Sequence, residues 1–213
     1  MSYVPALRFR SLTRIYDPVV RWTTREGEFR RRLLEQADLR PGDKVLDIGS
    51  GTGTLAVMAA QAEPKVDVTG LDADEEMIER ARRKAEEGGV DARFDHGFSD
   101  VLPYRARSFD RVLSTLFFHH LLPDAKRRTL AEIARVLRRG GELHVADWGK
   151  PSDPLMGAAF YGIRLLDGME NTADNAAGAL PEMFKDAGLE QAGLRDAMRT
   201  PFGTLALYSA VKP

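Results

Sequence analysis

Cysteine is missing altogether, which excludes disulfides, thiolate zinc sites and a thiol nucleophile, and agrees with a reducing cytoplasm. Long apolar runs are missing too. No stretch approaches the ~20 consecutive apolar residues of a membrane span, and the opening MSYVPALRFRSLTRIYDPVV scatters arginines where a secretory signal would carry its apolar core. Nor does one sign of charge prevail. With 31 Lys and Arg against 32 Asp and Glu the net charge is −1, too balanced to attract polyanions, so no nucleic-acid partner is expected. What is present is ordinary globular material: 213 residues, 43% of them hydrophobic and 30% charged, enough for one domain with a small appendage.

The charge is distributed unevenly. Residues 1–44 hold ten Lys and Arg against six Asp and Glu, and the remainder is net acidic. Leu7, Phe9, Leu12, Ile15, Tyr16, Val19, Val20 and Trp22, then Phe29, Leu33 and Leu34, recur at rough helical spacing before Pro41-Gly42. They predict an N-terminal helical cap over residues 1–40, followed by a main domain over 41–213.

From Lys44 short apolar runs alternate with charged amphipathic segments, the signature of βαβ units. Strands are expected at Lys44–Ile48, Asp67–Leu71, Ala92–Asp95, Phe109–Ser114 and Glu142–Ala146. Helices are expected at Thr54–Ala62, at Glu75–Glu87 with Asp74 as its N-cap, and from Ala125 to Arg138, ending at Gly140-Gly141. Between about 149 and 180 the pattern loses its period, which predicts a helical insertion or lid. A helix Pro181–Ala187 and an antiparallel hairpin, Leu189–Met198 and Thr204–Val211, close the chain.

The first strand runs into Asp47-Ile48-Gly49-Ser50-Gly51-Thr52-Gly53. A glycine turn there puts backbone amides and a helix N-terminus at the edge where open α/β sheets bind ligands. The dinucleotide pattern fails at its third glycine, which is Thr54, and the acid at 47 would repel a pyrophosphate. An acid suits a ligand with an ammonium and a sulfonium instead. Asp72, at the end of the second strand, is placed to accept two hydrogen bonds from a ribose diol. That contact serves NAD and S-adenosylmethionine equally.

VLDIGSGTGTLA (45–56), GLDADEEMIERARRKA (70–85), LPYRARSFDRVLSTLFFHHLLPD (102–124) and LAEIARVLRRGGELHVADW (130–148), with the FGTLALYSAVKP ending, resemble class I S-adenosylmethionine-dependent methyltransferases. The likeness is to the small-molecule branch that includes ubiquinone and menaquinone biosynthesis methyltransferases. It implies a Rossmann-like, doubly wound α/β fold: seven strands, mostly parallel, with the last antiparallel. It further implies that Gly49, Ser50, Gly51 and Gly53 line the methionine part of S-adenosyl-L-methionine, with Asp47 under its amino group and Ser114 on the same edge. Asp72, with Ala73 beside it, would hold the ribose, and Met77 would pack on the adenine. Where relatives often carry an acid and a small residue for the adenine, this chain has Phe98 and Ser99, with Asp100 next to them. Tyr16 of the cap would sit near the methionine end, with Arg25 a weaker candidate for its carboxylate.

Methyl transfer from a sulfonium needs an in-line acceptor and no enzyme nucleophile. A phenolic or amine acceptor also needs a base, and imidazole is matched to neutral pH. His119-His120, just past the fourth strand, are therefore the catalytic candidates; the alternative is that one ring only caps or packs. His96 and His144 fall on strands and are read as packing residues. No metal is expected, because no third ligand follows at a fitting spacing and adjacent side chains diverge on a strand. The insertion supplies Arg164, Asp167, Glu170, Asn171, Asp174 and Asn175 near the end of strand five, together with Met156, Phe160, Tyr161 and Met169 for an apolar wall.

The reading is a cytoplasmic methyltransferase for a small organic acceptor, with a homodimer as one open assembly. The rivals are an NAD(P)-dependent oxidoreductase and a non-catalytic S-adenosylmethionine-binding module. The fourth strand ends Ser114-Thr115-Leu116-Phe117, unlike the Asn/Asp-Pro-Pro-Tyr segment of nucleic-acid and protein methyltransferases.

Overall fold

The computed structural model describes residues 26–213. The first cap helix, Tyr16 and Arg25 lie outside the described residues. The chain runs α1 (Glu26–Ala37), β1 (Lys44–Ile48), α2 (Thr54–Ala62), β2 (Asp67–Asp72), α3 (Glu75–Glu87), β3 (Ala92–His96), β4 (Phe109–Thr115), a single 3-10 turn (Phe118–His120), α4 (Pro123–Val136) and β5 (Leu137–Trp148). The insertion folds as α5 (Pro154–Asp167) and α6 (Ala173–Ala177). Then come α7 (Leu180–Asp186), β6 (Glu190–Thr200) and β7 (Gly203–Val211).

The seven strands lie in the order β3-β2-β1-β4-β5-β7-β6. All pairings among β1 to β5 are parallel, and β7 runs antiparallel to both its neighbours. This is the doubly wound, Rossmann-like sheet that the sequence predicts. One face is covered by α1, α2, α3 and α5 through residues such as Phe29, Leu33, Leu55, Ile78 and Phe160. The other is covered by α4 and α7 through Leu130, Ile133, Leu180 and Phe184. The chain leaves β1 toward β2 and β3, then returns to the other side at β4. The β1/β4 boundary is therefore the switch point, and the crevice outside the carboxyl ends of these two strands is the natural ligand edge.

Local chemistry accounts for most boundaries. Asp74 caps α3 by accepting from the Glu76 and Met77 amides. Helix α4 starts two residues earlier than the sequence pattern gives, with Pro123 in its first turn, and stops at Val136. Leu137 has already turned extended and pairs with Phe109. Arg138 reaches Asp110 at 2.7 Å, which draws the chain into β5 before Gly140. Strand β5 is thus twelve residues long rather than five, and it reaches beyond Ala146 to deliver Asp147 and Trp148 to the crevice.

Candidate functional site

Three loops meet at the switch point. The first is the glycine loop after β1. Its amides are consumed internally: those of Gly49 and Ser50 donate to the Leu71 carbonyl at 2.9 and 3.0 Å, that of Gly51 to Asp72 Oδ2 at 2.7 Å, and that of Gly53 to the Ser50 carbonyl at 2.9 Å. These four N–H groups are therefore not free to cradle an anion. Gly51, at φ +51°, faces open space, while a Cβ on Gly49 would strike the Phe117 ring and one on Gly53 would strike Ala81 and Phe94. Gly53 is therefore needed for packing α2 against α3 and β3, and Gly51 is where a ligand can approach the backbone.

Two acids flank this loop. Asp47 is fully enclosed at 1% exposure, and neither carboxylate oxygen has a well-formed hydrogen bond among the described residues. Burial, only partly offset by the Arg30 charge, pushes its carboxyl up to about 7. Asp72 accepts from the Gly51 and Asp74 amides with one oxygen each, which fixes its orientation and leaves further lone pairs on both oxygens. Burial raises this carboxyl as well.

Of the adenine-side candidates, Ala73 lies next to Asp72 and its carbonyl accepts from His96 Nε2. Met77 is half-buried in the first turn of α3. Phe98 is exposed, with its ring edge toward His96 at 6.3 Å, so it is no core residue. The Ser99 hydroxyl lies 2.9 Å from that of Thr129, and Asp100 pairs with Arg128. Ser114 is fully buried and donates to the Ile48 carbonyl at 3.0 Å, tying β4 to β1 with its hydroxyl turned into the sheet. His96 is exposed rather than packed, whereas His144 is buried between Gln36 and Glu142.

The second loop begins at Leu116, whose φ of +51° is a left-handed conformation rare for a branched side chain. This turn lays Phe117 over Gly49 and starts the 3-10 turn that carries both histidines. The sequence reading had these rings diverging as on a strand. On the turn they instead stand side by side, ring centroids 3.9 Å apart.

The third loop is entered through the end of β5, which supplies the residue that sequence reasoning left without a role. Asp147 is completely buried. It accepts from His119 Nδ1 at 2.6 Å, from the Trp148 amide at 2.7 Å, and from the Phe117 and His119 amides at 3.1 and 3.4 Å. Burial opposes its charge, but His119 and these donors outweigh that and hold the carboxyl below the usual range. Burial likewise opposes a charged His119, and Asp147 then Asp167 prevail, raising its pKa. His120 is pushed the other way, down to about 3, by burial and by its neighbour. An acid at the end of a buried strand was the available signal for Asp147; its partner lies 28 residues away.

Helix α5 ends at Asp167, whose Oδ2 lies 3.6 Å from His119 Nε2 and whose Oδ1 lies 3.8 Å from His120 Nδ1. The Asn171 amide group ties the insertion to the carbonyl of His120. Fully buried Lys126 of α4 anchors it from below, donating to the Asn171 carbonyl at 2.6 Å and to Asp174 at 3.2 Å. Of the apolar wall, Met156 and Phe160 are core, while Tyr161 and Met169 are exposed.

A profile described as a methyltransferase domain matches residues 45–141. Residues 45–141 carry a methyltransferase domain. Over 140 residues the chain is 36% identical to the ubiquinone/menaquinone biosynthesis C-methyltransferase of Bdellovibrio bacteriovorus, covering 65% of this chain and 59% of that one. Over 119 residues it is 40% identical to the 27-O-demethylrifamycin SV methyltransferase of Amycolatopsis mediterranei, covering 55% and 43%. The crystal structure of the YcgJ protein of Bacillus subtilis superposes with a TM-score of 0.65 at 22% identity, over 86% of this chain and 97% of that one, and shares the fold. The chain spans about half the length of the curated relatives it matches.

The cofactor of this methyltransferase family is S-adenosylmethionine, and the crevice suits it. Asp47 is a buried carboxylate short of hydrogen bonds beneath the loop, Asp72 is held ready for hydroxyl donors, and Gly51 offers close approach. No helix of the described residues is long and apolar enough to cross a membrane.

Proposed function

We propose that this chain transfers the methyl group of S-adenosylmethionine to a small organic acceptor. The observation that carries the reading is the electrostatics of the switch-point edge: four glycine-loop amides are spent on protein acceptors, while buried Asp47 and half-buried Asp72 flank the same loop. Such an edge repels a pyrophosphate and favours a cationic ligand, which weighs against an NAD(P)-dependent oxidoreductase.

In this reading Asp47 takes the cofactor's ammonium, and Gly49, Ser50 and Gly51 shape the bed of its methionine part. Asp72 and Ala73 hold the ribose, and Met77, Phe98 and Ser99 border the adenine. Gly53 and Ser114 support this surface from within. Tyr16, in a cap formed by residues 1–40, closes over the methionine end. Bound there, the cofactor supplies an electrophilic methyl on a positively charged sulfur. The residues of this chain orient the acceptor in line, exclude water, and handle the acceptor's proton at His119 and His120, with Asp147 fixing the His119 ring. Relatives with named acceptors include one O-methyltransferase and one C-methyltransferase, so the acceptor class here is a small organic molecule. A cytoplasmic location and a homodimer complete the proposal; the exposed apolar face of α5, with Leu155, Tyr161 and Leu165, supports the latter.

The test is label transfer from methyl-labelled cofactor to a panel of phenols, quinols and amines. The expected result is one equivalent of S-adenosylhomocysteine per methylated acceptor, with kcat lowered ~10²–10⁴-fold in His119→Ala and cofactor affinity kept. Cofactor binding without transfer to any acceptor would instead leave a non-catalytic binding module.

A further inference from the structure

The trio at the acceptor end of the crevice has a feature that neither hydrogen bonding nor simple base chemistry accounts for. The Asp167 carboxylate is only 8% exposed, yet it accepts no hydrogen bond among the described residues. Its two oxygens instead face one imidazole nitrogen each, at 3.6 and 3.8 Å. These separations are too long for hydrogen bonds, which span about 2.7–3.2 Å. They match the edges of a coordination polyhedron: ligand atoms about 2.0–2.2 Å from a tetrahedral ion lie roughly 3.4 Å from one another. One donor atom from each of His119, His120 and Asp167 falls within 4.8 Å of the other two, so a small inward movement completes the set.

We propose that His119, His120 and Asp167 bind one divalent transition-metal ion, with Asp147 as the outer carboxylate that orients His119. Two imidazoles select a transition ion over calcium or magnesium, and three protein ligands leave a position open. The His119 tautomer is the required one. Ionised Asp147 has no hydrogen to give, so Nδ1 donates to it at 2.6 Å, and a bound ion displaces any proton on Nε2, the nitrogen that faces Asp167. This carboxylate–histidine–metal relay is the arrangement that fixes ligand rings and raises their basicity. Charge is matched as well: Asp147 and Asp167 balance a dication, and the opposing charge of Lys126 is already paired with Asp174 at 3.2 Å.

The role of the ion rests on the methyltransferase reading. With both rings occupied as ligands, the ion would take over the base role given to His119 and His120 above: an acceptor hydroxyl held at the open position is acidified and loses its proton to water. An oxygen lone pair then forms the O–C bond to the methyl, and the electron pair of the breaking C–S bond stays on sulfur, leaving a thioether. The favoured acceptors are therefore phenolic or enolic hydroxyls.

The full chain, stripped with chelator and dialysed, is titrated with Co(II), followed by its visible d–d bands, and with Zn(II), followed by calorimetry. One saturable equivalent is expected. Asp167→Ala and His120→Ala should each weaken it at least tenfold, Asp147→Asn by ~10–100-fold, and His96→Ala not at all. Circular dichroism establishes that each variant is folded. No saturable site in the folded chain, or equal affinity in Asp167→Ala, would overturn the metal site. S-adenosylmethionine titrated into the same samples separates the two claims: cofactor binding without metal binding removes only the ion, and metal binding without cofactor binding removes the methyltransferase reading.

Discussion

A buried carboxylate with no well-formed hydrogen bond is costly to the ligand-free protein, and Asp47 is such a group. Its carboxyl stands at about 7 in the folded chain against the ordinary value of 3.8, so the folded state holds the proton more tightly than the unfolded state. Stability from this residue is full below about pH 4 and is lost as pH rises toward 7 and beyond. Removing the charge should therefore flatten the profile. Relative to the wild type, Asp47→Asn is predicted to gain about 2–3 kcal/mol between pH 5 and pH 8 in urea unfolding. Cofactor affinity moves oppositely: it should rise with pH toward 7 in the wild type and be weak and flat in the variant. Parallel stability curves would contradict the assignment. Asp47 and Asp72 were legible in the sequence because each ends a strand beside a recognisable loop. Asp147 received no role and Asp167 only a place among the residues of the insertion, since their contacts with His119 form only through tertiary folding.

Elements differ in the same way. Helices α2 and α3 follow the sequence prediction to the residue, because Pro64, the Asp74 cap and the Gly88-Gly89 stop are local signals. The end of α4 was misplaced because the Arg138 to Asp110 contact and the pairing of Leu137 with Phe109 are not local. Helix α5 lost its period in the sequence because its solvent side is apolar too, with Leu155, Tyr161, Leu165 and Leu166 exposed. The buried stripe of Met156, Phe160 and Ile163 seats α5 on the sheet, and the Lys126 anchor ties down the segment that follows it. Lys126→Met should cost about 2–3 kcal/mol in denaturant unfolding, since charged hydrogen bonds to Asn171 and Asp174 are lost while half-buried Asp174 keeps some water. It should also raise the KM for the acceptor while leaving cofactor affinity alone, because Asp167 and Asn171 sit on the acceptor side. An unchanged unfolding midpoint would show that the insertion is held by other contacts.

At the scale of the whole molecule, the parallel βαβ alternation and the final antiparallel hairpin were legible in the sequence, whereas the strand order is set by tertiary pairing. The switch point follows from that order, and among the described residues the candidate groups collect there: Asp47 and Asp72 on one side, the histidine pair with Asp147 and Asp167 on the other. The near-neutral net charge of −1 leaves this local negative field as the main electrostatic feature of the edge. The most direct test is therefore of ligand choice. Calorimetric titration of the full chain with S-adenosylmethionine, S-adenosylhomocysteine and NADH should give saturable binding of the first two and none of the third. Asp72→Ala should weaken S-adenosylmethionine by at least ~1 kcal/mol, about fivefold. Binding of NADH with no response to S-adenosylmethionine would contradict the account.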